Sequence, residues 1–234
     1  MGIEGYRVAQ IAKAEAEPWL IKKHYAHSVP FITYAYGLID SKDTTRGVCV
    51  YNGNPAGEGV GIDFIVDVSK IPFEVGFVEL CRLVVEDGHE KNLLSWFVAR
   101  TLDDLRQKSP HVILSYSDAA VGHHGYIYQS LSWLYTGATA EGGWLLVDRN
   151  GQRKHRKAIW NKWGSSGVDT LERLGIKRVK KDIKHRYVTF LGSPAQRKAM
   201  RKALKLDILP YPKGENTRYN ASTEVKQPTK FFVD

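Results

Sequence analysis

GFVELCRLVV, Gly76–Val85, then EKNLLSWFVARTLDDLRQKS, residues 90–109, then HVILSYSD, His111–Asp118, decide the fold. The first segment alternates as a strand does: Val78, Leu80, Arg82 and Val84 share one face, and Phe77, Glu79, Cys81, Leu83 and Val85 the other. In the second, Leu94, Phe97, Val98, Leu102 and Leu105 recur at helical spacing, and Pro110 closes the run. The third is apolar from Val112 to Leu114, as a buried strand is. Several such crossings from strand to helix along the chain imply a mixed sheet covered by helices.

Working outward, YRVAQI (residues 6–11) reads as a first strand and EAEPWLIKKHY (15–25) as a helix with Pro18 in its first turn. FITYAYGLID (31–40) and RGVCVYN (46–52) read as paired strands joined by SKDTT, and NGNPAGEGVG (52–61) as a Gly-rich loop. GHHGYIYQSLSWLYTG (122–137) is expected to be one helix bounded by glycines, and GGWLLVDRNGQ a strand. KHRYVTFLG (184–192) is a late strand, after which Ser193 and Pro194 supply the N-cap and first turn of a last helix. The expected class is α/β (α+β), a mixed central sheet flanked by helices. Residues 1–148 form the core. Residues 149–210 add a basic segment, a closing strand and a helix to the same domain, and 211–234 a polar tail.

The 234 residues carry a formal charge of +9, and the excess is local: 18 Lys/Arg face 3 Asp/Glu between Arg149 and Lys205. A field of that sign concentrates polyanions, so nucleic acid is the leading partner class. No apolar run reaches the roughly 18 residues of a membrane span, and the N-terminus lacks a signal pattern, which predicts a cytoplasmic protein. Cys49 and Cys81 lie in apolar runs and are expected to be buried, inert thiols. Nucleotide-binding glycine motifs, a P-loop, HExxH and deaminase cysteine pairs are absent from the sequence.

Three clusters could carry chemistry. SYSDAAVGHHGYIYQ, residues 115–129, places Ser115, Ser117, Asp118, His123, His124, Tyr126 and Tyr128 within a few turns of chain. A carboxylate and imidazoles past a strand end can orient a substrate or move protons, and Gly122 and Gly125 let backbone approach a ligand. If a helix starts near His123, His124 and Tyr128 share a face. KHYAHSVPF adds His24, Tyr25 and His27; as a metal motif it lacks companion ligands. Arg82, between apolar neighbours, must find an acidic partner such as Asp118 or Glu79, or a ligand anion. Trp96, Trp133 and Trp144 are expected in the core.

These segments resemble the Mom family of phage DNA-modification proteins. The similarity lies in KHYAHSVP, ELCRLVVED, the helix start from Asn92 through Ser95 and, above all, SYSDAAVGHHGYIYQSLSWLYTG. The resemblance implies a GNAT-type acyltransferase fold and conversion of adenine in DNA to N6-carbamoylmethyladenine, which shields phage DNA from host restriction. It implies catalytic roles for Asp118, Tyr128, Arg82, His24, Tyr25 and His124. Ser115, Ser117, Tyr126, His123 and Gly125 would bind substrate, and Val85, Gly88, Asn92 and Ser95 the donor. Double-stranded DNA would lie on Arg153, Lys154, Arg156, Lys157 and Lys162. The turn VEDGHEKN carries Glu86, Asp87 and Glu90 where coenzyme A phosphates would need a basic cradle. Two donors therefore stay open, acyl-CoA and glycyl-tRNA, the latter making tRNA a second partner. An N-acetyltransferase of a small amine or protein, and a non-catalytic DNA-binding module, are the alternatives. The sequence leaves metal dependence and oligomeric state open.

Overall fold

The computed structural model describes residues 3–53, 55, 61–108, 110–119, 122–139, 144–151, 153–154, 156–180 and 183–214. These form two compact units, the first running to Ala138 and resuming at Lys184, the second lying between Thr139 and Ile183.

The first unit is a seven-stranded sheet. β1 (Tyr6–Gln10), α1 (Lys13–Lys22), β2 (Tyr34–Asp40) and β3 (Thr45–Asn52) open the chain. The short α2 (Ile62–Ile65) precedes β4 (Gly76–Val85), α3 (Leu93–Arg106) and β5 (His111–Asp118). Next come the short α4 (Tyr126–Ser130) and β6 (Leu134–Ala138). The sheet order is β1-β2-β3-β4-β5-β10-β6, closed by β10 (Lys184–Leu191) and followed by α7 (Pro194–Lys202). Among the described residues only β4 and β5 pair in parallel, joined across α3; the other strand pairs are antiparallel. Leu93, Phe97, Val98, Leu102 and Leu105 of α3 pack on one face against Leu38, Tyr51, Val78 and Ile113. α1 packs Ala16 and Leu20 against Val48, Val50 and Val84, and α7 packs Met200 against Leu114 and Val188, on the other face. This is the expected mixed central sheet flanked by helices.

The sequence pattern misread β4 at one point. Val50 opposes Arg82 while its neighbour Tyr51 opposes Leu80, so Cys81 is an extra, bulged residue. The bulge reverses the alternation: Leu83 and Val85 join Val78 and Leu80 on the α3 face, and Val84 turns to the α1 face. Arg82, two residues before Val84, turns with it and donates to Ser28 Oγ beyond α1.

A second correction concerns residues 122–137, which do not form one helix. The helix is confined to Tyr126–Ser130, Ser132 turns the chain with φ 57°, and Leu134–Ala138 pairs with β10. Trp133, Tyr135 and Thr136 favour a strand once β10 offers a partner, and that tertiary pairing outweighs the local helical signal. The N-cap of α4 is Gly125, at φ 76°, where a Cβ would run into the Tyr187 ring. Gly125→Ala should therefore lower stability by roughly 1–3 kcal/mol, from left-handed strain plus a clash with a buried ring. Thermal or urea unfolding measures this, and an unchanged midpoint would contradict the packing described.

The second unit pairs β7 (Trp144–Val147) with β8 (Arg153–Lys154) and β9 (Lys177–Lys180), with α5 (Arg156–Trp163) and α6 (Val168–Arg173) between them. Leu146, Ile159 and Leu171 form its small core. Trp133 is buried and Trp96 partly so, as expected, but Trp144 is 54% exposed, because it begins a strand of the small second sheet, where its register partner is Lys180, rather than a strand of the main one.

Candidate functional site

The site is a fork in the sheet. β4 and β5 pair from Gly76↔His111 to Leu80↔Ser115 and no further. Beyond that point β4 stays with β3 as far as Val85, while β5 stays with β10 as far as Asp118. The diverging strand ends enclose a cavity of about 190 Å³ lined by β4 from Leu80 to Val85, by Tyr116 and Ser117 of β5, and by residues of the flanking loops.

Ser115 ties the apex of the fork. Its hydroxyl donates to Leu80 O at 2.7 Å, and its oxygen lies 2.8 Å from the Tyr128 hydroxyl. A serine has one proton and a carbonyl none, so Tyr128 is the donor in the second bond. Burial raises the Tyr128 phenol above its ordinary value, so it remains protonated on the cavity wall.

Arg82 projects from the bulged strand into the cavity lining. One guanidinium nitrogen donates to Cys81 O at 2.7 Å, another to Ser28 Oγ at 3.0 Å, and the buried Nε has no partner. Among the described residues no carboxylate lies within ion-pair distance of Arg82, so the sequence-level alternative of a buried pair with Asp118 or Glu79 is not realised. A half-buried guanidinium with no carboxylate within ion-pair distance is a site for a ligand anion or for developing negative charge.

His24 lies just past the end of α1, not within it, and is 4% exposed. Burial first, then the charge of Arg82, hold its imidazole down to about 3, so it is neutral near pH 7. The Ala26 N–H donates to Nδ1 at 3.0 Å, which fixes the remaining proton on Nε2. His24 thus offers a hydrogen-bond donor to the cavity rather than a base. Its ring stacks on Tyr25 at 4.3 Å, and Tyr25 meets His123 edge-on at 5.8 Å. Ser117 Oγ is buried without a partner, beside the cavity. Tyr126, 39% exposed, marks the rim. The inventory is rich in donors and poor in bases.

Of the residues the sequence singled out, the fold brings Arg82, His24, Tyr25, Ser117, His123, Gly125, Tyr126, Tyr128 and Val85 to one cavity. It does not place Asp118, His124 or Ser115 on that lining. Asp118 ends β5 and lies 3.7 Å from Lys184 across the β10 ladder. His124 sits against His185 and Tyr126, its backbone carbonyl accepting from Gln129 and Tyr187, so His124 and Tyr128 do not share a helix face. Gly88, Asn92 and Ser95 also lie off the lining, and Asp87, His89 and Leu94 take that side instead. Tyr116 lies inside the polar cluster of residues 115–129 but was not among the side chains singled out there; nothing in the sequence marked Leu94, an ordinary member of the α3 stripe. Glu86 is held between Lys23 at 2.7 Å and Arg46 at 2.9 Å, and Arg46 also binds Asp40, so this loop carboxylate is neutralised by the scaffold. Burial pushes the thiols of Cys49 and Cys81 up to about 12, the inert state expected of both. Among the described residues no three His, Cys, Asp or Glu side chains are placed to share a metal ion. No helix among them is long and apolar enough to cross a membrane.

In the second unit, Lys154 pairs with Asp148 at 2.8 Å, Arg156 Nε donates to Ser166 Oγ at 3.2 Å, and Lys162 lies over the Trp163 ring. The side chains of Arg153 and Lys157 lie outside the described residues.

The fold and site together define a helix-flanked mixed sheet that forks at its parallel strand pair around a donor-lined cavity. The Mom protein family model matches residues 5–213, and the chain belongs to that family. Three similar solved structures share 15% identity or less with the chain. NAA60 of Arabidopsis thaliana in complex with acetyl-CoA has 11% identity over 79% of this chain and 98% of its own, with a TM-score of 0.47. Ribosomal-protein-S5-alanine acetyltransferase of Vibrio fischeri has 11% identity over 81% and 94%, with a TM-score of 0.42. The Escherichia coli GNAT family N-acetyltransferase YhbS in complex with CoA has 15% identity over 55% and 68%, with a TM-score of 0.37. No curated protein sequence matches the chain.

Proposed function

We propose that the chain is a transferase that modifies N6 of adenine in DNA to N6-carbamoylmethyladenine, drawing the added group from an activated glycyl or other acyl donor. The observation that carries this reading is Arg82: a guanidinium with no counter-ion, in the fork of the sheet, beside the neutral Nε2–H of His24. Donors fixed in a water-poor site stabilise negative charge on a carbonyl oxygen under attack, because they need no reorganisation when the charge develops. The amine loses its proton after attack, when it has become acidic, so a strong base in the cavity is not required. His123 and solvent at the Tyr126 rim can take that proton.

The unpaired edge of β4 past Leu80 suits an amide-containing donor arm, which could add to it as a strand would. The carbamoylmethyl group has the atoms of a glycyl residue. Glycyl transfer to N6 followed by rearrangement therefore balances without an oxidant: the ester carbon–oxygen bond to the carrier breaks, N6 bonds the carbonyl carbon, and its proton goes to the carrier oxygen. In the isomerisation N6 passes from the carbonyl to the methylene carbon as the amino nitrogen passes from the methylene to the carbonyl, with no atom gained or lost. An extruded adenine enters at the rim, with Tyr126 placed to stack on it.

Mass spectrometry of nucleosides from cells expressing the chain should show a new adenosine species. Unmodified DNA combined with tight, salt-sensitive binding would instead mark a non-catalytic module. Supplying labelled glycyl-tRNA or labelled acetyl-CoA in vitro identifies the donor by which label reaches the DNA.

The basic second unit is the proposed DNA-holding surface. Binding should weaken steeply with salt, and R156Q/K162Q should lower the slope of log K against log salt by about 2, since each lost phosphate contact contributes about 0.9. Anisotropy titrations with a DNA duplex at several salt concentrations measure it, and an unchanged slope would move the backbone contact elsewhere.

A further inference from the structure

We infer that the second unit binds unpaired nucleobases on an aromatic platform formed by Trp160, Trp163 and Trp144. The inference rests on the reading that this protein acts on nucleic acid, and it names the form of nucleic acid the unit takes. On α5, Ile159 turns inward to meet Leu146 and Leu171. At helical spacing Arg156, Trp160 and Trp163 (i, i+4, i+7) then share a neighbouring face, and the two indoles are 57% and 47% exposed. Leu146 of β7 fixes which face of the small sheet α5 covers. Trp144, two residues earlier, lies on that same face, and its register partner Lys180 and diagonal neighbour Arg178 lie there too.

Three exposed indoles in a unit of this size need a reason, because such surface is costly in water and is normally buried. Each cationic neighbour points to the same partner. The Arg178 guanidinium lies 5.2 Å from the Trp144 ring centre, and the Lys162 ammonium 5.4 Å from that of Trp163. Between Thr139 and Ile183 the sequence carries 11 Lys/Arg against 5 Asp/Glu, so a neutral apolar peptide or a second copy of this basic unit is disfavoured. A flat aromatic face flanked by cations takes a base on the ring and its phosphate on the charge. A paired duplex hides its base faces, so only unpaired bases use the rings. Opening a strand to extrude an adenine produces such bases next to the target.

The test uses the full chain and three probes: a short oligothymidylate, an oligouridylate and a blunt DNA duplex. Oligothymidylate should quench tryptophan fluorescence. W160A/W163A should bind both single strands at least about tenfold more weakly and the duplex less than about threefold more weakly, with the salt dependence kept. W160F/W163F should recover most of the single-strand affinity, and far-UV circular dichroism should be unchanged in both variants. Single-strand affinity unaltered by W160A/W163A would overturn the proposal. So would an equal loss on duplex and single strand, or a self-associated chain that the alanine pair merely converts to monomer. Oligothymidylate contains no adenine, so this result is independent of transfer. Stacking retained by a chain that modifies no adenine would sink the transferase reading alone.

Discussion

Arg82→Gln should reduce adenine modification by about 10²–10³-fold while leaving duplex affinity within about twofold. The magnitude is that of removing one preorganised donor to a developing oxyanion. The expected silence in binding follows from the proposed division of roles, with Arg82 acting on the reacting carbonyl at the fork and the duplex contact assigned to Arg156 and Lys162. Stability separates this role from a structural one. Arg82 has no carboxylate partner, and its side-chain bonds go to one backbone carbonyl and to Ser28. Replacing an unpaired, partly desolvated charge is close to neutral for folding, because relief of desolvation offsets the lost hydrogen bonds. Arg82→Lys keeps the charge but not the planar array of donors, and should retain intermediate activity. Single-turnover formation of the modified nucleoside, set beside a melting curve, reads both quantities. Activity that survives in Arg82→Gln would remove the guanidinium from the chemistry. Activity and melting temperature falling together would make it a structural residue.

The second large effect is on stability against pH, and it comes from His24. In the folded chain its imidazole titrates at about 3, against about 6.5 when unfolded. The folded pKa is the lower one, so between these values the unfolded chain binds a proton that the folded chain refuses. Stability attributable to His24 is therefore constant above pH 6.5 and falls as pH drops towards 3, by up to about 1.4 kcal/mol per pH unit. His24→Phe keeps a ring on Tyr25 but binds no proton. It should cost about 1 kcal/mol near pH 8, where the Ala26 N–H loses its acceptor, and should be more stable than the parent near pH 4 by an amount on the order of 2 kcal/mol. Urea unfolding across that range measures the crossing. Parallel pH profiles for the two proteins would show that His24 titrates normally and that its environment is wetter than described.

Much of this was legible in the chain. The β-α-β segment followed from two periods, 2.0 in Gly76–Val85 and 3.6 in α3, because burial on one face imposes those periods on any sequence that folds this way. The cluster around residues 115–129 and the isolated Arg82 were visible because polar groups there serve no packing purpose. The apolar reading of Trp144 was reversed because its strand belongs to the second unit, whose small core takes Leu146 and leaves Trp144 exposed.

From residue order alone came the mixed sheet and most of the side chains that meet at the fork. Folding in three dimensions settled the rest: the bulge at Cys81 that swings Arg82 towards Ser28, the parting of β4 from β5 after Leu80, and the exchange of a helix for strand β6. Periodicity records which face of one element is buried. It carries no information about where a neighbouring strand stops pairing, or about a partner such as β10 that lies some fifty residues away along the chain.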